Sequence, residues 1–365
     1  MNILRRIGFA LLAPVIAILI AMAATSLVII ATGSESGVGD FWRIILTKPS
    51  DRIMVDIVNQ TTMIYLSAVA AAVGFRMGLF NIGVEGQYTV GSFAAASFAG
   101  GAFLPGFLNV FVSLVIAVVV GALWAGIAGI LRTTRGVSEV ISTIMLNAIA
   151  GILVGYLIDK YGIHGGNSVR TKVIPESSQV GGWSPFNAAA GEVWSLGLVL
   201  AVLVGVGFWV LLNRTRFGFD LRATGMSQTA AVASGINVKR MTLAAMLISG
   251  GVAGLIWMPA FFGDAYSYGT TFQAGLGFTG IAVALLGRNQ PLGMVFGALL
   301  FAFLTAQSNS LTLLTDISAS VVLITQGVAV LAVVIAYELV RRYRVRIEQR
   351  AVAQAPRVQT EEVPA

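Results

Sequence analysis

The chain has 365 residues, of which 57% are hydrophobic and 11% charged, with a net charge of +7 and a mean hydropathy of +0.86. A soluble domain carries about a quarter charged residues, so this chain has too little polar surface to cover itself in water, and its solvent is lipid. With no cysteine and one histidine, His164, it has no disulfide, thiolate metal site, cysteine nucleophile or paired-histidine zinc site, and its positive charge fits basic cytoplasmic loops rather than nucleic acid.

In lipid the backbone must pair internally, which leaves helices or a closed barrel. Barrel strands alternate apolar and polar residues, whereas here the runs are continuously apolar for about 17–25 residues, the span of a membrane helix. The sequence predicts an all-α polytopic membrane protein with about ten transmembrane helices, at residues 7–31, 57–75, 88–104, 108–131, 138–158, 194–212, 241–261, 276–287, 292–310 and 317–340. The first begins like a signal peptide, after Arg5 and Arg6. Its run exceeds an h-region of about 7–15 residues, so an uncleaved helix is expected. The eighth is too short to cross alone and is either tilted or a half-helix.

Ten spans with the N- and C-termini both cytoplasmic place 17 of the 23 Lys and Arg inside and six outside: Arg43, Lys48, Arg52, Lys160, Arg170 and Lys172. Removing one span would destroy that positive-inside bias. Residues 32–56 and 159–193 become long outer segments, and 132–136 and 213–240 inner ones. Residues 1–345 are expected to form one membrane domain, and the polar segment 346–365 a disordered cytoplasmic tail.

Spans 2–5 and spans 7–10 run in opposite senses. Each set has a glycine-broken, polar segment before its second member: GLFNIGVEGQYTVGS at 78–92 and YGTTFQAGLGFTGIAVALLGRNQPLG at 268–293. Two inverted-topology bundles with interrupted helices in matching places point to a transport route near the midplane.

Within the first break, Glu85 in a lipid-facing position would cost about 2.5–3.5 kcal/mol, so it is expected beside a helix end, water or a partner. Asn81, Glu85 and Gln87 either pin a kinked helix to its neighbours or line the permeation route. Glu139 is read as a helix N-terminal charge at the membrane edge. Asn147, eight residues on and on the same face as Ser142 and Thr143, touches either solute or a neighbouring helix.

In the inner loop, 223–235 reads as one short helix of small residues ended by Gly235, either lying on the headgroups or docking a soluble partner. Nothing matches a phosphate-binding P-loop, a nucleophile elbow or an H-E-x-x-H helix. His164 is read as a solvated loop residue.

GLFNIGVEGQ, RGVSEVISTIMLNAIAG, TAAVASGINVKR and GLGFTGIAVALLGRNQPLG resemble the membrane subunit of bacterial ABC importers of the branched-chain-amino-acid/ribose type, in the nucleoside and simple-sugar branch. The resemblance covers about 57–340. It implies a permease subunit in the inner membrane, not an enzyme, with no cofactor on this chain and ATP on a partner ATPase. It further implies a second permease, often a different chain, and an extracytoplasmic substrate-binding protein facing the long outer segments. Thr229, Ala230, Ala231 and Gly235 match the E-A-A-x-x-x-G spacing of the ATPase-docking loop of such importers, with threonine in place of the glutamate. Arg222 and Arg240 flank that loop as coupling residues.

The translocation route implied by this resemblance passes Phe80, Asn81, Glu85, Gln87, Asn147, Gln273 and Phe278, with Phe272 as a further stacking residue. A simple-sugar permease is the alternative. A proton-coupled secondary transporter using Glu85 or Glu139 is a rival that needs no ATPase, and an enzyme embedded in lipid lacks an acid–base or metal set.

Overall fold

The computed structural model describes residues 16, 19–31, 33, 36–166 and 168–353. The described residues form two compact units, one from those up to Asp40 together with those from Asp316 on, and one from those between Phe41 and Thr315.

In the first unit, α1 (Leu19–Ala31) and the long final helix, α14 below, meet through buried threonines. Thr25 Oγ1 donates to Thr325 Oγ1 at 3.2 Å, while Thr325 donates to Val321 O in its own helix. Ile16 packs on Ala332 and Ala336. The start of the first expected span and the end of the expected tail lie outside the described residues.

The order of elements is α2 (Gly37–Leu46), α3 (Asp51–Arg76), α4 (Val84–Gly100), α5 (Gly106–Arg135), α6 (Glu139–Tyr161), then two antiparallel ribbons, β1 (Ile163–Gly165) with β2 (Ser168–Arg170) and β3 (Gly182–Trp183) with β4 (Val193–Trp194). There follow α7 (Ser195–Arg214), α8 (Arg216–Met226), α9 (Gln228–Ala233), α10 (Val238–Gly254), the short turn α11 (Met258–Ala260) with a π-turn after it, α12 (Leu276–Leu286), α13 (Pro291–Leu314) and α14 (Ala319–Ala353). Within the described residues the expected spans coincide with helices to within a few residues, with 241–261 divided between α10 and α11, and six helices there are long and apolar enough to cross a membrane. α14 stays helical to Ala353, past the start of the expected tail.

The core of the second unit is α3. Ser50 caps it, accepting from the Ile53 N–H at 3.4 Å, and Asp51 and Arg76 sit at the ends that the helix dipole favours. The most apolar window of α3 is 83% buried, against 22% for α6. In lipid the less apolar helix, α3, goes to the inside, where its small and polar residues meet protein partners, and α6 turns Ile141, Ile144, Ile149 and Ile152 outward.

Close crossing is set by small residues. Ala117, Gly121 and Ala125 of α5 face Gly250 and Gly254 of α10, where an added Cβ would strike opposing backbone. That is the small-xxx-small packing of membrane helices. The contacts also exchange between the two sets: α3 packs on α12 and α13 as α10 packs on α4 and α5.

The two breaks have different forms. Before α4 the chain turns at 77–83, where Asn81 Oδ1 accepts the Gly83 N–H at 3.0 Å and Gln87 N–H donates to Gly83 O. Glu85 and Gln87 therefore stand in the first turn of α4, not in the interruption, because this side-chain turn starts the helix before the apolar run begins. Before α12, residues 266–275 are irregular and Gly275 takes φ 93°, a conformation open to glycine. The eighth span is a short helix entered from an irregular segment. That segment is held by residues between β2 and β3: Thr171 N–H donates to Tyr268 O at 2.8 Å, Tyr268 N–H to Thr171 Oγ1 at 3.0 Å and Ile174 N–H to Tyr266 O at 3.0 Å.

Candidate functional site

Glu85 joins the two broken segments. Its Oε1 accepts from the Gly275 N–H at 2.7 Å and its Oε2 from the Gly277 N–H at 2.9 Å. The Tyr88 hydroxyl lies 3.1 Å from Oε1 and 2.8 Å from Gln273 O. The carboxylate thus closes orphan donors at the start of α12 while lying in the first turn of α4. Two helix N-termini converge on it, and each favours a negative charge. The approach requires Gly277, where a Cβ would come 2.5 Å from Glu85 N.

Asn147, on α6, clasps the other side of the break. Its Oδ1 accepts from the Gly86 N–H at 2.8 Å and its Nδ2 donates to Ile82 O at 2.9 Å. Between these groups lies a cavity of about 460 Å³ lined by Glu85, Thr89, Asn147, Tyr268, Phe272 and Ala274, among others. This is within the range of about 300–1,000 Å³ typical of small-molecule sites.

Phe272 is the hub of an aromatic wall. It stacks on Tyr88 at 5.3 Å and packs against Trp257 at 5.2 Å and Tyr268 at 4.6 Å. Gln273 lies on the far side of that wall, lining a second and smaller chamber.

Asn81 and Gln87 are buried and bonded to each other. Asn81 Nδ2 donates to Gln87 Oε1 at 3.0 Å and Gln87 Nε2 donates to Asn81 Oδ1 at 2.9 Å. Asn81 Nδ2 also donates to Ser249 Oγ, which donates to Ala70 O. Their amides are satisfied inside the protein and tie the break to α10 and α3. Phe80 and Phe278 are each about half exposed and are not among the residues lining either cavity. Phe80 N–H reaches Glu139 Oε1 at 3.5 Å, and Glu139 pairs with Arg132 at 3.3 Å.

Sequence reasoning missed Tyr88, Tyr268, Trp257 and Ser249. Tyr88 has a local signal, being one helical turn from Glu85. The other three reach the site only through tertiary packing.

The loop at 213–240 holds two helices where one, at 223–235, is expected. Thr215 caps α8 and Ser227 caps α9, the latter accepting from the Ala230 N–H at 3.2 Å. Small-residue composition alone concealed that break, since two successive hydroxyl caps start two helices. Gly235 does end the motif, at φ 81°, with Ile236 N–H bonded back to Ala231 O. Thr229, Ala230 and Arg240 are exposed and Ala231 is buried. Arg222 is partly buried and donates to Leu212 O, fastening α8 to the end of α7. At the end of α8, Gly225 rests on Arg76 and Met77, against the turn that opens the first break.

A lipid-spanning helical core, two interrupted helices meeting at a polar group and a cavity beside them define a multi-pass membrane transport protein. The particular family follows from comparison. Residues 53–336 match the model of the branched-chain amino acid transport system permease component, and the chain belongs to that family. It is a permease subunit of an ABC transporter, a transport component and not an enzyme, in the cytoplasmic membrane.

Among its relatives, the guanosine ABC transporter permease protein NupP of Bacillus subtilis is 36% identical over 90% of this chain and 94% of that one. The nucleoside ABC transporter permease protein NupB of Lactococcus lactis is 30% identical over 82% of this chain and 84% of that one. The ribose import permease protein RbsC of Escherichia coli is 26% identical over 72% and 80%.

Proposed function

We propose that this chain is the nucleoside-conducting permease of an ATP-driven importer, and that solute passes the cavity beside Glu85. The observation that carries the route is the convergence of two interrupted helices on one carboxylate that also lines the cavity. The substrate class rests on the relatives named for guanosine and nucleosides. A simple sugar is the second reading, favoured by the ribose permease relative and by a relative named as a glucose permease in Haloferax volcanii.

Ten crossings in two inverted bundles, with both termini cytoplasmic, are supported by the charge map and by the exchanged packing of α3 and α10. In this reading Glu85, Asn147, Phe272 and Tyr268 face the solute. Gln273 stands at the second chamber. Asn81 and Gln87 hold the break in shape, and Phe80 and Phe278 offer apolar surface to the paired permease. A nucleoside presents a flat base and ribose hydroxyls, which suit an aromatic wall with amide and carboxylate acceptors.

The exposed knob of α8 and α9, with Thr229, Ala230, Ala231, Gly235 and Arg240, docks into a partner ATPase. Gly225 then passes its movement to the turn at 77–78 and so to Asn81 and Glu85. ATP binds only the partner. A second, different permease completes the pathway, since the chain is also similar to a second nucleoside permease of the same Lactococcus, NupC, and a binding protein delivers solute to the outer segments. The proton-carrier rival is disfavoured by family membership, with Glu85 occupied by backbone donors and Glu139 paired with Arg132.

The test is uptake in proteoliposomes holding both permeases and the ATPase. Guanosine accumulation that requires ATP supports the reading. Accumulation driven by a proton gradient in the absence of ATPase overturns it.

A further inference from the structure

A groove of about 540 Å³ runs between α7 and α13 with α3 as its floor, away from the cavity beside Glu85. Along α7 it extends from Leu198 to Trp209, eleven residues of helix or about 16 Å. Its walls are aliphatic, with Val202, Val206 and Val295 exposed along it.

Two features separate this groove from the rest of the apolar surface. The first is an unused donor in its floor. Tyr65 is only 5% exposed, and its hydroxyl forms no hydrogen bond among the described residues, whereas the neighbouring Thr61 and Thr62 donate theirs to Ile57 O at 2.6 Å and Asn59 O at 2.7 Å. The Tyr65 oxygen stands at Gly205, where an added Cβ would come within 2.4 Å of it, so the glycine leaves that hydroxyl its room between α3 and α7. A buried donor left without an acceptor is costly unless a ligand supplies one. The second feature is charge at the Trp209 end. The guanidinium of Arg214 lies 5.6 Å from the centre of the Trp209 ring. Arg214 and Arg216 are exposed, and neither forms an ion pair among the described residues. Gly205 and Trp209 are four residues apart, about 6 Å along α7, so the cation and the hydroxyl stand little more than a helical turn from each other.

We propose that the groove is a binding site for one anionic glycerophospholipid. The phosphate pairs with Arg214, which the Trp209 ring holds at the groove mouth. The glycerol backbone spans the turn to Tyr65, whose O–H donates to an ester carbonyl. The acyl chain then fills the groove toward Leu198. Size decides against a helix as the occupant: one about 10 Å across and 16 Å long takes about 1,250 Å³, more than twice the groove. A bulk acyl chain would use neither the cation nor the hydroxyl, and a free anion would leave the aliphatic walls unfilled. In the orientation proposed above, the Trp209 end faces the cytoplasm and the lipid belongs to the inner leaflet. The site depends on neither the nucleoside reading nor the solute route.

The experiment takes the assembled transporter, stripped of lipid in detergent, and titrates it with phosphatidylglycerol, its diether analogue, phosphatidylcholine and glycerol 3-phosphate. Bound lipid is counted by native mass spectrometry, and the site is the lipid that the wild type retains and the variants lose. Phosphatidylglycerol is expected to bind about tenfold more tightly than phosphatidylcholine, and R214Q to weaken it about tenfold with an unchanged melting temperature. The diether lacks the carbonyl, so the wild type should bind it about threefold to tenfold more weakly than the diester. Y65F should bind the two alike, a change that a merely structural tyrosine would not produce. A201F puts a ring into the groove and should retain no lipid there. Should that variant not fold, the Arg214 and diester–diether comparisons still decide. Phosphatidylglycerol held by R214Q as by the wild type, equal binding of diester and diether by the wild type, or displacement of the lipid by an equal concentration of glycerol 3-phosphate would overturn the proposal.

Discussion

The carboxylate of Glu85 accepts the backbone N–H of Gly275 at 2.7 Å across 190 residues of sequence. This contact ties the start of α4 to the start of α12, and with the Gly277 bond it gives one side chain control over where two interrupted helices meet. In the proposed route, a solute hydrogen-bonding to Glu85 from the cavity would compete for the same oxygens and so link binding to helix position.

Replacing Glu85 with Gln keeps the size but turns an amide N–H₂ toward backbone donors. We expect E85Q to lose about 1.5–3 kcal/mol of stability, the worth of hydrogen bonds to a charged group, read as a lowered thermal melting point. ATP-dependent uptake should fall by about tenfold or more. Glu85→Asp, which retains the charge on a shorter arm, should recover part of both.

Asn81 and Gln87 should behave as one unit. Each single alanine substitution leaves the other amide buried without its partner, at a cost of about 1–3 kcal/mol. The double variant should cost less than the sum, with an interaction energy of about 0.5–3 kcal/mol in a double-mutant cycle. Uptake by the protein that folds should keep its KM, because neither amide faces the cavity. A raised KM with normal stability would place them on the route.

At the crossing of α5 and α10, Gly250→Leu puts a side chain where Gly121 carbonyl and Ala125 stand. Overpacking of this kind costs about 1–3 kcal/mol or more. The expected outcome is a loss of folded protein in detergent, measured by size-exclusion chromatography. Gly136→Ala, at a glycine with open space around it but φ 68°, should cost only the backbone strain, about 1 kcal/mol.

Coupling is expected to fail without unfolding when the knob is altered at its surface. Ala230→Glu with Arg240→Glu changes exposed positions and should abolish substrate-stimulated ATPase activity while stability stays within about 0.5 kcal/mol of wild type. Arg222→Glu should instead destabilise the protein, because its guanidinium fastens α8 to Leu212.

The sequence made the helices legible because lipid demands long apolar runs, and it made the two breaks legible because glycine and polar residues have no place in such a run. It also kept Glu85 away from lipid, leaving a helix end, water or a partner as its neighbour, and the structure supplies two helix ends. The pairing of Asn81 with Gln87 was hidden: an amide pair six residues apart depends on the turn at 77–83, which composition does not announce. Ser249 and Trp257 were hidden for a different reason, since they are distant in sequence and look like ordinary residues of an apolar helix. The division of the inner loop into α8 and α9 was readable in Thr215 and Ser227, two hydroxyl residues ahead of small-residue stretches. The shape of segment 266–275 was not, because it is held by Thr171 and Ile174, about a hundred residues away in sequence.

The chain has no native cysteine, so a single introduced thiol reports on the cavity directly. Ala274 is exposed and lines it. In the assembled transporter, Ala274→Cys should react with a membrane-impermeant maleimide, and modification should block ATP-dependent nucleoside uptake. Nucleoside should protect the thiol, and the degree of protection should change when ATP is bound. A thiol that reacts at the same rate with and without nucleoside, with uptake intact after modification, would contradict a solute route past Glu85.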